Sequence, residues 1–306
     1  MQERRDFSRG HARLDAFKRF AFGGLASSAT HAAAITLAAF FIAAPQPAAG
    51  STPAPTAPVA AESGPAMWVV QDNDTTVYLF GTFHALDRNS SWFTRSVRAA
   101  FDASQELVLE TLVPEDPAEL HNMIVRNTLA VEPKAGEPVY ADRGGSSFVA
   151  SAGQAMSAGK TMGMSVEQGA DAVLRRAATS SGKPVTGLET FEFQLRMFSS
   201  LPPPPAPTSS GKAVGDVGGL LGTMQSAWKR GDNASFATIL GTMQTHSPQT
   251  YKTLFVDRNA NWAGWIADRM AKPGTVFVAV GTGHLIGPDS VQTQLAARGI
   301  NSARIS

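Results

Sequence analysis

Two segments of this chain, two hundred positions apart, are built on one plan. Val77–Leu86 reads VYLFGTFHAL and Phe277–Ile286 reads FVAVGTGHLI. Each is an apolar run of strand length that ends in Gly-Thr-x-His. Two further runs end in a carboxylate: LVLE at Leu107–Glu110 and TGLE at Thr186–Glu189. Helical patterns separate the four runs, so the expected fold is α/β (α+β), a central sheet of short strands with helices and a helical middle region. In sheets with helical crossovers, functional groups collect just beyond the carboxyl ends of strands. His84, Glu110, Glu189 and His284 are therefore expected to share one cleft, with Gly81 and Gly281 as the turn glycines.

The residue types set the chemistry. Glycine after a strand permits a sharp turn and close backbone approach; the threonine hydroxyl is expected to fix that turn, and the histidine projects from it. Two His and one or two Glu suffice for a divalent metal of unknown identity, with positions left for water or substrate. Simpler readings stand beside this one. The histidines can hold two loops together through backbone hydrogen bonds. Glu110 can be a surface carboxylate, and Glu189 a favourable first-turn acid of the helix that follows. His121, in a polar helix, and His246, beside Pro248, read as solvated. His11 and His31 fall in the leader.

Composition excludes more than it selects. The 306 residues contain no cysteine, which removes disulfides, thiolate metal sites and thiol nucleophiles. A formal net charge of +1 argues against a nucleic-acid partner. No G-x-S-x-G elbow, P-loop, G-x-G-x-x-G or H-E-x-x-H is present. Trp262 and Trp265, at helical spacing from Arg258 and Asn259, read as core and groove wall before they read as a sugar platform.

The first 66 residues stand apart. Arg4, Arg5, Arg9, Arg13, Lys18 and Arg19 precede an apolar run, AAAITLAAFFIAA at Ala32–Ala44, and then a Pro/Ala-rich stretch. Residues 1–44 read as a signal peptide or an N-terminal membrane anchor, the tether then running through residues 20–44. Residues 45–66 read as a Pro/Ala-rich linker and 67–306 as the folded domain. Either leader exports the domain, to the periplasm or the outer face of a bacterial inner membrane. Six of the 26 basic and four of the 25 acidic residues precede Met67, so the domain carries a formal −1.

Periodicity predicts strands at Met67–Gln71, Thr76–Phe80, Glu106–Thr111, Pro184–Leu188, Thr275–Val280 and within Ile300–Ile305. It predicts helices at Ser90–Ala103, with serine as the cap, and at Pro117–Thr128, Val166–Ser180, Phe191–Ser199, Ala227–Gly241, Ser247–Lys272 and Ser290–Arg298. Gly144–Ser165 reads as small-residue helix and loop, and Leu201–Gly222 as a loop or insertion.

These pieces together resemble the TraB/PrgY/GumN family, and within it the GumN-like exported proteins. The resemblance lies in YLFGTFHALD at Tyr78–Asp87, LVLET at Leu107–Thr111 and ADAVLRRAATSSGKPVTGLETFEFQL at Ala170–Leu195. It continues in VDRNANWAGWI at Val256–Ile266 and VFVAVGTGHLIGPDSVQTQLAARG at Val276–Gly299. It covers nearly all of residues 67–306. The family's two Gly-x-x-His motifs fall on Gly81/His84 and Gly281/His284, and its early acid on Glu110. Its Leu-Glu-Thr segment falls on Glu189, and its Arg-Asn pair on Arg258-Asn259. The related Tiki proteins are membrane-tethered metal-dependent proteases. Other members are linked to pheromone shutdown or sit in exopolysaccharide gene clusters. The resemblance implies an exported metal-dependent hydrolase, a peptidase above all. His84 and His284 would bind the metal, and Glu110 would ligate it or act as base. Glu189 would be a second acidic ligand or an orienting group, and Arg258 would pair a carboxylate or stabilise an oxyanion. Two alternatives stay open. One is a non-catalytic envelope protein that binds a peptide or polysaccharide in the same cleft. The other is a metal-free hydrolase with His84 as general base.

Overall fold

The computed structural model describes residues 64–129, 157–202 and 217–306. The leader and nearly all of the linker lie outside the described residues, as do residues 130–156 and 203–216. Among the described residues no helix is long and apolar enough to cross a membrane.

A six-stranded mixed sheet has the order β6-β4-β7-β2-β1-β8. Its strands are β1 (Met67–Gln71), β2 (Thr75–Thr82), β4 (Glu106–Thr111), β6 (Val185–Glu189), β7 (Gly274–Gly281) and β8 (Ala303–Arg304). A separate two-residue pair joins β3 (Leu86–Asp87) to β5 (Met164–Ser165). β6, β4, β7 and β2 run parallel, and β1 and β8 close the far edge with antiparallel pairings. The four runs singled out in the sequence are thus neighbours pointing the same way. Thr82 pairs with Gly281 and Thr111 with Glu189, which aligns their carboxyl ends on one edge.

Both faces of the sheet are covered, which explains why β7 reads TVFVAV without polar alternation. Phe80, Leu107, Leu109, Phe277 and Ala279 point to one face. There they meet α1 (Arg95–Ala103), α3 (Ala170–Ser180), α4 (Phe191–Ser199), α5 (Val217–Lys229) and α6 (Asn233–His246). Leu79, Val108, Val276, Val278 and Val280 point the other way, against α8 (Asp257–Met270) and α9 (Val291–Ala296). A smaller cluster packs α2 (Pro117–Leu129) on α4. Successive residues face opposite sides of a strand and residues two apart share a side, so an unbroken apolar strand feeds two cores.

Several helix boundaries differ from the periodic expectation. The predicted Ser90–Ala103 helix begins at Arg95 with Thr94 at its N-cap, because Trp92 is pulled into the core and stacks on Phe80. Val166–Ser180 divides into a single tight turn, Val166–Gln168, and α3. Part of the expected Leu201–Gly222 loop is helical, since α5 starts at Val217. The expected Ala227–Gly241 helix is broken at Gly231, whose φ of 64° lies in the left-handed region. Asp232 then caps α6, accepting from the backbone N–H of Ala234 and Ser235. Ser247–Lys272 is α7 (Pro248–Tyr251), a π-helical turn at Lys252–Val256, and α8.

Candidate active site at the strand ends

The aligned carboxyl ends of β6, β4, β7 and β2 bring Glu189, Glu110, His284 and His84 together, and α8 adds Arg258. Arg258 lies at the centre. Its Nε donates to Glu189 Oε1 at 2.8 Å, and Nη2 to Glu189 Oε2 at 2.8 Å and to Glu110 Oε1. Its Nη1 donates to the Leu254 carbonyl at 3.1 Å and to His284 Nε2 at 3.2 Å. Leu254 sits in the π-helical turn, a feature found often at functional sites. Arg258 is 1% exposed and its ring neighbour Trp262 2%. A guanidinium fork is the group suited to two carboxylates at once in so dry a place.

Each predicted residue has a distinct place around that cation. Glu189 has both oxygens satisfied by Arg258, Trp262 Nε1 at 3.0 Å and Gln194 Nε2 at 3.1 Å, so it orients Arg258. Glu110 takes Arg258 and Gln194 on Oε1 and the Gly281 backbone N–H, at 3.2 Å, on Oε2. Burial raises the Glu110 pKa, but the charge and hydrogen bond of Arg258, with the charge of His84, outweigh it and hold the carboxyl well below the usual range. His284 is fully buried. Its Nδ1–H donates to Asn259 Oδ1 at 2.6 Å, which leaves Nε2 to accept from Arg258. Burial and the Arg258 charge lower its pKa well below 6.5.

His84 differs. Its Nδ1–H donates to Asp171 Oδ2 at 2.7 Å. Burial lowers its pKa, but the Asp171 charge and hydrogen bond, helped by Glu110, push it up to about 9. Its Nε2 is buried without a partner among the described residues. That atom lies 3.1 Å from where a Cβ on Gly281 would sit, with Glu110 Oε2 at 3.4 Å and His284 Cδ2 at 3.6 Å from the same point. Gly281 has φ −49° and ψ 133°, which any residue adopts. Its role is close approach, not a turn. The expected threonine brace is also absent at the first motif, where Thr82 Oγ1 is buried and has no partner among the described residues.

Asp171 and Gln194 are the functional side chains that sequence reading missed. Asp171 stands in the first turn of α3, where an acid is ordinary. It reaches His84 because Gly169 lets the helix start against the His84 backbone; a Cβ there would lie 2.0 Å from the His84 carbonyl oxygen. Gln194 carried a readable signal. It is the polar member of a buried stripe with Phe191, Leu195 and Phe198.

A cleft of about 450 Å³ opens from His84 and Glu110 between α3 and the segment after β4. Trp228 and Trp262 are 2% exposed, so neither offers a carbohydrate platform in it. His121 and His246 are exposed residues of α2 and α6, and neither lines this cleft.

The model of the TraB/PrgY/gumN family matches residues 66–141 and 145–304. The chain therefore belongs to that family. No curated protein and no solved structure matches it.

Would a divalent ion suit these residues? An orphaned imidazole nitrogen and a gap at Gly281 that a single Cβ would fill, bordered by His84, Glu110 and His284, are features a small cation suits. Among the described residues no three His, Asp or Glu already stand as a ligand set. The physical reason is Arg258, which holds His284 Nε2 and Glu110 Oε1.

Proposed function

We propose that this chain is an exported metal-dependent hydrolase acting on peptides, as the motif resemblance to the Tiki proteases implies. The observation that carries the reading is the Nε2 of His84, buried and unpartnered beside Glu110 at the inner end of an open cleft. His84, Glu110 and His284 would hold the ion, His284 exchanging its Arg258 contact for it. A divalent ion there would acidify a water and polarise a carbonyl. Asp171 holds the Nδ1 proton of His84, so an ion that displaces the Nε2 proton would meet a lone pair aimed at the gap, the arrangement by which carboxylates orient metal-ligating imidazoles. Arg258 and Gln194 hold Oε1 of Glu110 and leave Oε2 facing the gap, where an ionised carboxylate can ligate or accept a proton.

The test uses the full-length chain, its metal content and its cleavage of a mixed peptide pool. About one divalent ion per chain is expected. His84→Ala and His284→Ala should each lose both ion and cleavage. Unchanged metal binding in both variants refutes the reading. The His84–Asp171 pair also fits a second reading, a general-base hydrolase without metal, and turnover that survives exhaustive chelation selects it. Peptide binding with no turnover under any condition selects a non-catalytic sequestering protein.

A further inference from the structure

We infer that the outer half of the cleft seats a carboxylate of the substrate on Arg175 and Arg176, about two peptide residues from His84. The inference takes its substrate class, peptides, from the reading above, but it rests on different side chains.

Helix α3 lines the cleft with Asp171, Arg175, Arg176 and Thr179, the i, i+4, i+5, i+8 face of one helix. Facing it are Val113, Pro114 and Glu115, just after β4. Arg175 spans the two walls. Its Nη1 donates to the Val113 carbonyl at 2.8 Å, and its Nη2 pairs with Glu115 Oε1 at 2.8 Å. The Glu115 side chain is 77% exposed, so this ion pair stands in water and is weak. An incoming carboxylate can replace Glu115 on the fork while Val113 keeps Nη1 in place. Arg176 is exposed at the same wall and has no partner among the described residues.

Charge accounting favours an anion there. Of the acids that line the cleft, Glu110 is neutralised by Arg258, Asp171 faces His84 and Glu115 faces Arg175. Glu167 is engaged as well. Arg176 is the cation left over. A pair of neighbouring guanidiniums is suited to planar, bidentate carboxylate recognition. Four residues of helix separate Asp171, bonded to His84, from Arg175, a rise of about 6 Å. An extended peptide advances about 3.3 Å per residue. A carboxylate on the arginines therefore places a bond about two residues away beside His84 Nε2.

The experiment measures binding, which does not depend on turnover. Full-length protein is titrated calorimetrically with N-acetyl-tetraalanine, with its C-terminal amide, and with N-acetyl-Ala-Ala-Glu-Ala amide. The free acid is expected to bind on the order of ten-fold tighter than the tetraalanine amide, as a charge-assisted pair implies. Arg176→Ala, at an exposed position, should reduce that ratio several-fold and Arg175→Ala with Arg176→Ala should abolish it, thermal melts confirming that both variants fold. The glutamyl amide separates the two carboxylate sources: tight binding there assigns the seat to side chains, weak binding to chain termini. Equal affinity for acid and amide, an unchanged ratio in the double variant, or no binding of any probe overturns the inference. Selective binding without cleavage leaves the seat standing and overturns the hydrolase. Cleavage with no preference does the reverse.

Discussion

The two Gly-Thr-x-His turns start from nearly the same words and end in opposite electrostatic states. His84 leans on a carboxylate, Asp171, and is held basic with a pKa of about 9. His284 leans on an amide, Asn259, faces the Arg258 guanidinium and lies between Phe255 and Trp262, with ring centroids 4.9 and 4.4 Å away. It is held neutral. The motif delivers an imidazole to the strand end, and the helix that packs against it decides what the imidazole can do. The first turn borders the cleft, and the second is enclosed in the interior. Even the aspartates that follow differ. Asp87 is pinned to α5 by Lys229 at 3.0 Å, and Asp289 accepts from the Tyr251 hydroxyl at 3.1 Å.

The largest way to break this contrast is to remove its shared cation. Arg258→Met leaves Glu110 and Glu189 buried without a counter-charge, and about 3–5 kcal/mol of stability should be lost in urea unfolding. A loss under about 1 kcal/mol would mean that the cluster does not organise the frame.

The glycines come next. A Cβ at Gly81 would meet Thr282 Oγ1 at 2.6 Å and the Thr282 Cα at 3.2 Å, so Gly81→Ala must move backbone and should cost about 1–3 kcal/mol. Gly281→Ala adopts its backbone without strain and instead fills the gap beside His84. Its melting temperature should change less than that of Gly81→Ala, while metal binding and turnover fall on the order of ten-fold or more. Equal behaviour of the two variants would erase the distinction.

Asp171→Asn should convert the first turn toward the second. With the carboxylate gone, burial dominates and the His84 titration, followed by NMR on metal-free protein, should fall well below 9. The sign follows from linkage. A folded-state pKa above the unfolded 6.5 gives stability fully present below about pH 6.5 and lost as pH rises through about 9. Wild type should therefore weaken between those values, and the variant should not.

The smallest effect concerns the anchor behind His84. Burial raises the Asp87 pKa, but Lys229, Gln225, Ser90 and the Asn89 N–H bring it down to about 2. Its side chain is 28% exposed, so Asp87→Asn should cost roughly 1–2 kcal/mol near neutral pH. A depressed carboxylate contributes above its unfolded value, so the difference from wild type should vanish as pH falls from about 4 through about 2.

What could be read in advance, and what could not, divides along the same line. Strand ends were legible because a buried strand must be apolar and a glycine must follow where backbones meet; His84, Glu110, Glu189 and His284 all came from that rule. The break at Gly231 and the start of α5 were not legible, since small residues fit helix and loop patterns alike. Asp171 was invisible because its role depends on Gly169 letting α3 start against His84, a contact between positions 87 apart in the chain. Gln194 was half legible, as a polar residue in an apolar stripe.

By itself, then, the sequence determined the four apolar strands and the residue types at their ends, because strand periodicity is a local property. The tertiary structure decided which imidazole is charged, which carboxylate is spoken for by Arg258, and which nitrogen is left open. Those outcomes depend on burial and on charges a few ångströms away in space but far away in the chain, and no local pattern records them.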